Sequence, residues 1–164
     1  MAEDRRQPAS ESFVVKVGTE GAPPGGAGLE AIGRVEPLGC EGLTVLRVRK
    51  PDADARQTWR RIVADLPEEA FAAPVLLGEG NEEHFPTGRV TVRFAKARST
   101  KALRAFAGRH GLRLERVNEL VPDQATFLPA RPRAAYLPDL IDAIAREPAV
   151  AAAWAETVSA YRRG

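Results

Sequence analysis

Cys40, His84 and His110 are the residues of this chain whose side chains most readily act as nucleophile, base or metal ligand. A thiol becomes reactive when a base or cation lowers its pKa. Cys40 sits beside Gly39 in an expected turn, with no base next to it in sequence. A single cysteine excludes an intrachain disulfide and a cysteine-based zinc site. Two histidines 26 positions apart do not form the short-spaced ligand pair of a metal motif. His110 falls at the end of an expected helix, where an imidazole can meet the last carbonyls, and His84 falls in a polar connector. No Gly-rich phosphate loop, Cys-x-x-Cys or pair of catalytic carboxylates stands out. The expectation is a non-enzymatic protein without metal or cofactor. What remains is electrostatic: between Arg89 and Arg116, nine basic side chains stand against one acid, Glu115.

The elements that carry these residues are legible from composition and periodicity. The chain has 164 residues, 44% hydrophobic and 28% charged, which is a globular composition with room for one domain or two small ones. No apolar run is long enough for a membrane span and no secretory signal opens the chain, so a cytoplasmic location is expected. Residues 1–82 carry a net charge of −4 and residues 83–164 one of +6, suggesting two halves with different surfaces.

In the first half, residues 1–11 read as a frayed terminus and Phe13 to Val17 as a strand. Gly18 to Gly28 reads as a Gly/Pro loop and Leu29 to Ile32 as one helical turn. Ile32 to Leu38 and Leu43 to Val48 read as strands. A helix capped by Asp52 or Asp54 runs to Leu66, its apolar face marked by Trp59, Ile62 and Val63. A strand from Ala70 to Leu77 closes the half. In the second half, Arg89 to Phe94 alternates strictly, the pattern of a half-buried strand. A helix follows, capped by Ser99 and ended by Gly111. Strands at Leu112 to Val117 and Gln124 to Leu128, a helix at Leu137 to Arg146 and a strand at Val150 to Glu156 complete it. Trp154 is expected in the core.

The halves align at an offset of 82: Ile32 on Leu114, Arg34 on Arg116, Thr44 on Thr126, Ile62 on Ile144. Each reads strand-helix-strand-strand-helix-strand. The expected fold is therefore α+β: two tandem ferredoxin-like units, each an antiparallel sheet with helices on one face, the first with a degenerate first helix. The expected boundaries are 12–78 and 89–157 for the units, 79–88 for a connector and 158–164 for a C-terminal tail. Such a sheet leaves one face uncovered. In the second unit Val90, Val92 and Phe94 would face the helices, and Thr91, Arg93, Gln124 and Thr126 would face outward.

The order of motifs in the second half resembles the propeptides of subtilisin-like serine proteases. The opening strand is Val90-Thr91-Val92-Arg93-Phe94. Gly111-Leu112-Arg113-Leu114 follows the first helix. Glu147-Pro148-Ala149-Val150 and Ala155-Glu156-Thr157 close the unit, with Thr157 where the family usually has Pro. The first half resembles the extra unit preceding such propeptides in fervidolysin-type proteases, with Ala73-Pro74-Val75-Leu76-Leu77 and Phe85-Pro86-Thr87-Gly88 at the join. The protease's own catalytic motifs do not occur. The resemblance implies a propeptide-like inhibitor or folding chaperone of a subtilisin-like protease, acting in trans, or in cis if this chain is an excised prodomain. It further implies that Glu156 caps helix N-termini of the protease. Val158, Ser159, Ala160, Tyr161, Arg162, Arg163 and Gly164 would then enter the substrate cleft as an added strand. The rival expectations are an RNA-binding or a small-molecule-sensing tandem module. The first lacks an RNP1 octamer and an outward aromatic, because Phe94 has inward parity.

Overall fold

Three local devices punctuate the chain as its sequence dictates. Asp54 accepts the amide of Gln57 at 2.9 Å and starts one helix. Ser99 accepts the amide of Ala102 at 3.1 Å and starts another. Each such cap stabilises by about 1 kcal/mol. Gly111, at φ +64°, ends the second helix in the left-handed conformation that side chains resist. The computed structural model describes residues 6–17, 29–38 and 42–159; Cys40 and Ala160 to Gly164 lie outside these.

The elements run β1 (Gln7–Lys16), α1 (Leu29–Ile32), β2 (Gly33–Pro37), β3 (Thr44–Val48), α2 (Ala55–Val63), β4 (Phe71–Leu77), β5 (Glu83–Phe94), α3 (Thr100–Arg109), β6 (Leu112–Val117), β7 (Gln124–Pro129), a 3-10 turn (Pro132–Ala134), α4 (Leu137–Ala145) and β8 (Val150–Val158). The fold is α+β, with every strand pairing antiparallel. The strand order is β2-β3-β1-β4 in the first half and β8-β5-β7-β6 in the second. Among the described residues the two sheets are linked by two ladder pairs, Leu76 with His84 and Leu77 with Glu83. Both bounds of α4 lie 82 positions beyond those of α2, so the sequence offset holds residue for residue for this pair of helices, though not for α1 and α3.

Two apolar clusters fill the molecule. Phe13, Val15 and Leu46 pack with Trp59 and Ile62 of α2, and Trp59 Nε1 donates to the Ala72 carbonyl at 2.8 Å. The neighbouring strand residues Val14, Val45, Ala73 and Phe71 point the other way, yet they too are buried. They belong to one contiguous cluster with Val90, Phe94, Phe106, Phe127 and Ile144 of the second half. The first sheet is thus covered on both faces. Further contacts bind the halves: Trp59 against Tyr136 with ring centroids 5.2 Å apart, and Arg133 donating to the Leu66 carbonyl at 2.7 Å.

Four expectations are corrected. Residues 79–88 are not a connector. The turn is Gly78 to Glu82, closed by the Gly78 amide on the Glu82 carbonyl at 3.0 Å. β5 begins at Glu83, and Phe85 to Gly88 are buried because β8 covers them. Residues 7–11 are not a frayed terminus, since β1 starts at Gln7 and Ala9 is buried. The tail does not start at Val158, which is the last residue of β8 and pairs with Phe85. Trp154 is not in the core. A bulge between Arg93 and Phe94 sets Phe94 against Val150 but Arg93 against Ala152. The extra residue, Ala151, inverts the parity of the strand beyond it. Ala153 and Ala155 then face the core, and Trp154 faces the other side.

Candidate functional site, the uncovered face of the second sheet

The face of the second sheet away from α3 and α4 is built by alternation on four strands. β5 contributes Arg89, Thr91 and Arg93, and β7 contributes Gln124, Thr126 and Leu128. β6 contributes Arg113 and Arg116, its own bulge at Glu115 keeping Arg116 opposite Thr126. β8 contributes Ala152, Trp154 and Glu156. A row Trp154-Thr91-Thr126-Arg116 crosses the sheet at its centre. Thr91 and Thr126 are buried between their larger neighbours, and Trp154 is half-buried. The outward reading of Arg93, Gln124, Thr91 and Thr126 therefore holds in direction, while the two threonines are shielded from solvent.

Charges on this face are partly neutralised. Arg89 Nε donates to both carboxylate oxygens of Glu115 at 3.1 Å. Arg93 meets Asp123 at 3.4 Å. Arg113 and Arg116 have no ion pair or hydrogen bond among the described residues, and neither does the carboxylate of Glu156. Only the backbone carbonyl of Glu156 is engaged, accepting the Thr87 hydroxyl at 3.4 Å. At one corner, Asn118 Oδ1 accepts the amides of Leu120 and Val121 at 3.0 and 3.2 Å and holds a turn whose tip, Leu120, is 92% exposed.

Of the residues singled out from sequence, Glu156, Val158 and Ser159 fall together at the end of β8. Val158 packs against the core cluster, and Ser159 is exposed beyond the sheet. Ala160, Tyr161, Arg162, Arg163 and Gly164 lie outside the described residues. Searches against protein-family models, curated proteins and solved structures find no match for this chain. Sequence reasoning missed Trp154 and Leu120. Leu120 had a signal: it is a lone large apolar side chain in the polar turn Asn118-Glu119-Leu120-Val121-Pro122-Asp123. Trp154 had none, because its facing depends on a bulge set by pairing with β5.

The histidines sit elsewhere. His110 lies 2.7 Å from Glu147, which also accepts from Arg109 at 3.1 Å. The Arg109 hydrogen bond, reinforced by His110, holds the Glu147 carboxyl below its usual range. This cluster ties the end of α3 to the end of α4. His84 meets Glu82 at 3.4 Å beside the turn that joins the halves. Among the described residues no three His, Cys, Asp or Glu side chains converge to hold a metal ion, and no helix is long and apolar enough to cross a membrane.

Proposed function

We propose that the chain is a propeptide-like inhibitor or folding partner of a subtilisin-like serine protease, built of two tandem ferredoxin-like units and docking by the uncovered face of the second. The strand order β2-β3-β1-β4 recurs as β6-β7-β5-β8, each with helices after its first and third strands, and this supports the tandem reading. The observation that carries the function is Glu156. It is a carboxylate without a partner among the described residues, on an uncovered sheet face, three residues before the strand gives way to exposed Ser159. A carboxylate so placed suits the positive N-termini of helices on a partner. The neighbouring Trp154 supplies apolar contact area of the kind that anchors interfaces. The chain beyond Ser159 then enters the substrate cleft as an extended strand, so inhibition is competitive with substrate.

The test is residual activity of a subtilisin-like protease titrated with the whole chain. Inhibition at micromolar concentration or below is expected. Removing residues 160–164 leaves β8 whole, so inhibition should disappear while the far-UV circular dichroism stays the same. Undiminished inhibition after that truncation would refute the tail's role, and no inhibition of any family member would refute the reading.

A second reading is favoured by one observation. The β8 bulge provides the outward aromatic that sequence reasoning had not found, and Trp154 shares its face with the unpaired Arg113 and Arg116. An aromatic among arginines is the makeup of a single-strand nucleic-acid surface. Salt-dependent binding of an RNA oligonucleotide that weakens in Trp154→Ala would support it, and absence of binding at low salt would end it.

A further inference from the structure

The uncovered face carries opposite charges that cannot meet within one chain. Glu156 and Arg113 stand at the same level of the second sheet. Arg113 pairs with Leu128, two residues beyond Thr126 in β7, and Glu156 lies two residues beyond Trp154 in β8. β7 and β8 both run antiparallel to β5, so they are parallel to each other and the two steps go the same way. The two residues nevertheless occupy the outer strands, β6 and β8. Three strand spacings, about 14 Å, separate them. Neither side chain has an ion pair among the described residues, and Arg116 has none either.

A second copy removes the mismatch. A two-fold axis running along the strands between β5 and β7 lays one sheet on another and exchanges the outer strands. β8 of each copy then lies over β6 of the other. Glu156 falls opposite Arg113 of the second copy. Trp154 falls opposite Arg116 of the second copy, a guanidinium over an indole. By symmetry each contact occurs twice. Thr91 and Thr126, short and buried between their neighbours, cross at the centre and let the sheets approach to about 10 Å. No level sets arginine over arginine: Arg89 comes opposite Leu128 and Arg93 opposite Gln124. An axis along the central row would instead stack Arg116 on its own counterpart.

We infer that the uncovered face is self-complementary and that two copies of this chain associate through it as a symmetric sheet-on-sheet dimer. The four strands span about 19 Å and residues 152–156 about 17 Å. A patch of roughly 300 Å² in projection is small beside the about 800 Å² that each partner of a stable complex buries, so the dimer is weak and reversible. Where the protease reading holds, one face serves both partners, and the dimer is a resting form that docking dissolves. The dimer itself does not depend on that reading.

The test is sedimentation of the whole chain from micromolar to millimolar concentration. A monomer–dimer equilibrium that salt weakens is expected. Arg113→Glu and Glu156→Arg, each checked for fold by circular dichroism, should each weaken the dimer at least tenfold, because each sets like charges together. Mixed in equal amounts, the two variants should associate with each other about as tightly as the natural chain does with itself, because every pair is then opposite in sign. A monomer up to millimolar concentration would overturn the proposal. So would a dimer that both variants leave intact, or a mixture that associates no better than its components. No protease enters these measurements, so their failure leaves the docking reading to the inhibition test.

Discussion

The two halves share an order of elements but treat their sheets differently. In the first half β1 and β4 bury both faces: Phe13 and Val15 lie under α2, while Val14 and Ala73 join the core of the second half. In the second half β5 buries Val90, Val92 and Phe94 and turns Arg89, Thr91 and Arg93 away. The cause is written in the strands. Phe13-Val14-Val15 and Phe71-Ala72-Ala73-Pro74-Val75-Leu76-Leu77 are continuous apolar runs, which suit a strand covered on both sides. Arg89 to Phe94 alternates, which suits one covered side. One order of elements thus gives a first half covered on both faces and a second half with a face to spare.

The largest effect should come from placing a charge on the covered side of the first sheet. Val14→Asp is expected to cost about 4 kcal/mol or more, or to abolish folding, because the carboxylate is buried without a partner. Arg113→Asp, on the corresponding side of the second sheet, should stay within about 0.5 kcal/mol. Urea denaturation midpoints decide it, and equal losses would erase the contrast. Next come the helix positions that the repeat equates. Ile62 and Ile144 are both fully buried, so Ile62→Ala and Ile144→Ala should each cost about 3 kcal/mol. A loss confined to one of them would break the equivalence. Trp154→Ala should cost only about 1 kcal/mol, since the ring is half-buried on the uncovered face. A core-sized loss would return Trp154 to the interior.

The smallest effect concerns Glu147. Its folded pKa lies below the unfolded value, so its contribution is fully present above the ordinary carboxylate range and is lost as pH falls through the folded value. Glu147→Gln should flatten the acid limb of a stability profile by less than about 1 kcal/mol, the scale of a surface ion pair. An unchanged acid limb would mean that the Arg109 and His110 contacts contribute nothing in solution.

Where the chain's own periodicity or capping decided the structure, the sequence was readable. The strict alternation of β5, the Asp54 and Ser99 caps and the Gly111 stop each act within a few residues. The elements misjudged are those decided by distant pairing. Glu83 to Gly88 looks polar and loop-like, yet β8 and β4 recruit it into β5. Ala151 to Ala155 is nearly all alanine, so no alternation shows which way Trp154 points, and only the mismatch with β5 settles it. The candidate site was half legible for the same reason: Arg93 and Gln124 follow from local parity and Glu156 was singled out by the resemblance, whereas the outward facing of Trp154 and Glu156 follows from a bulge.

The proposed docking surface is the uncovered face of the second sheet. It is tested most directly by inhibition constants against a subtilisin-like protease for three chains: the natural one, Trp154→Glu on the uncovered face, and Lys101→Glu on exposed α3. Trp154→Glu is expected to weaken inhibition at least tenfold and Lys101→Glu to leave it unchanged, with both variants folded by circular dichroism. Equal inhibition by all three chains, or a loss confined to Lys101→Glu, would contradict it.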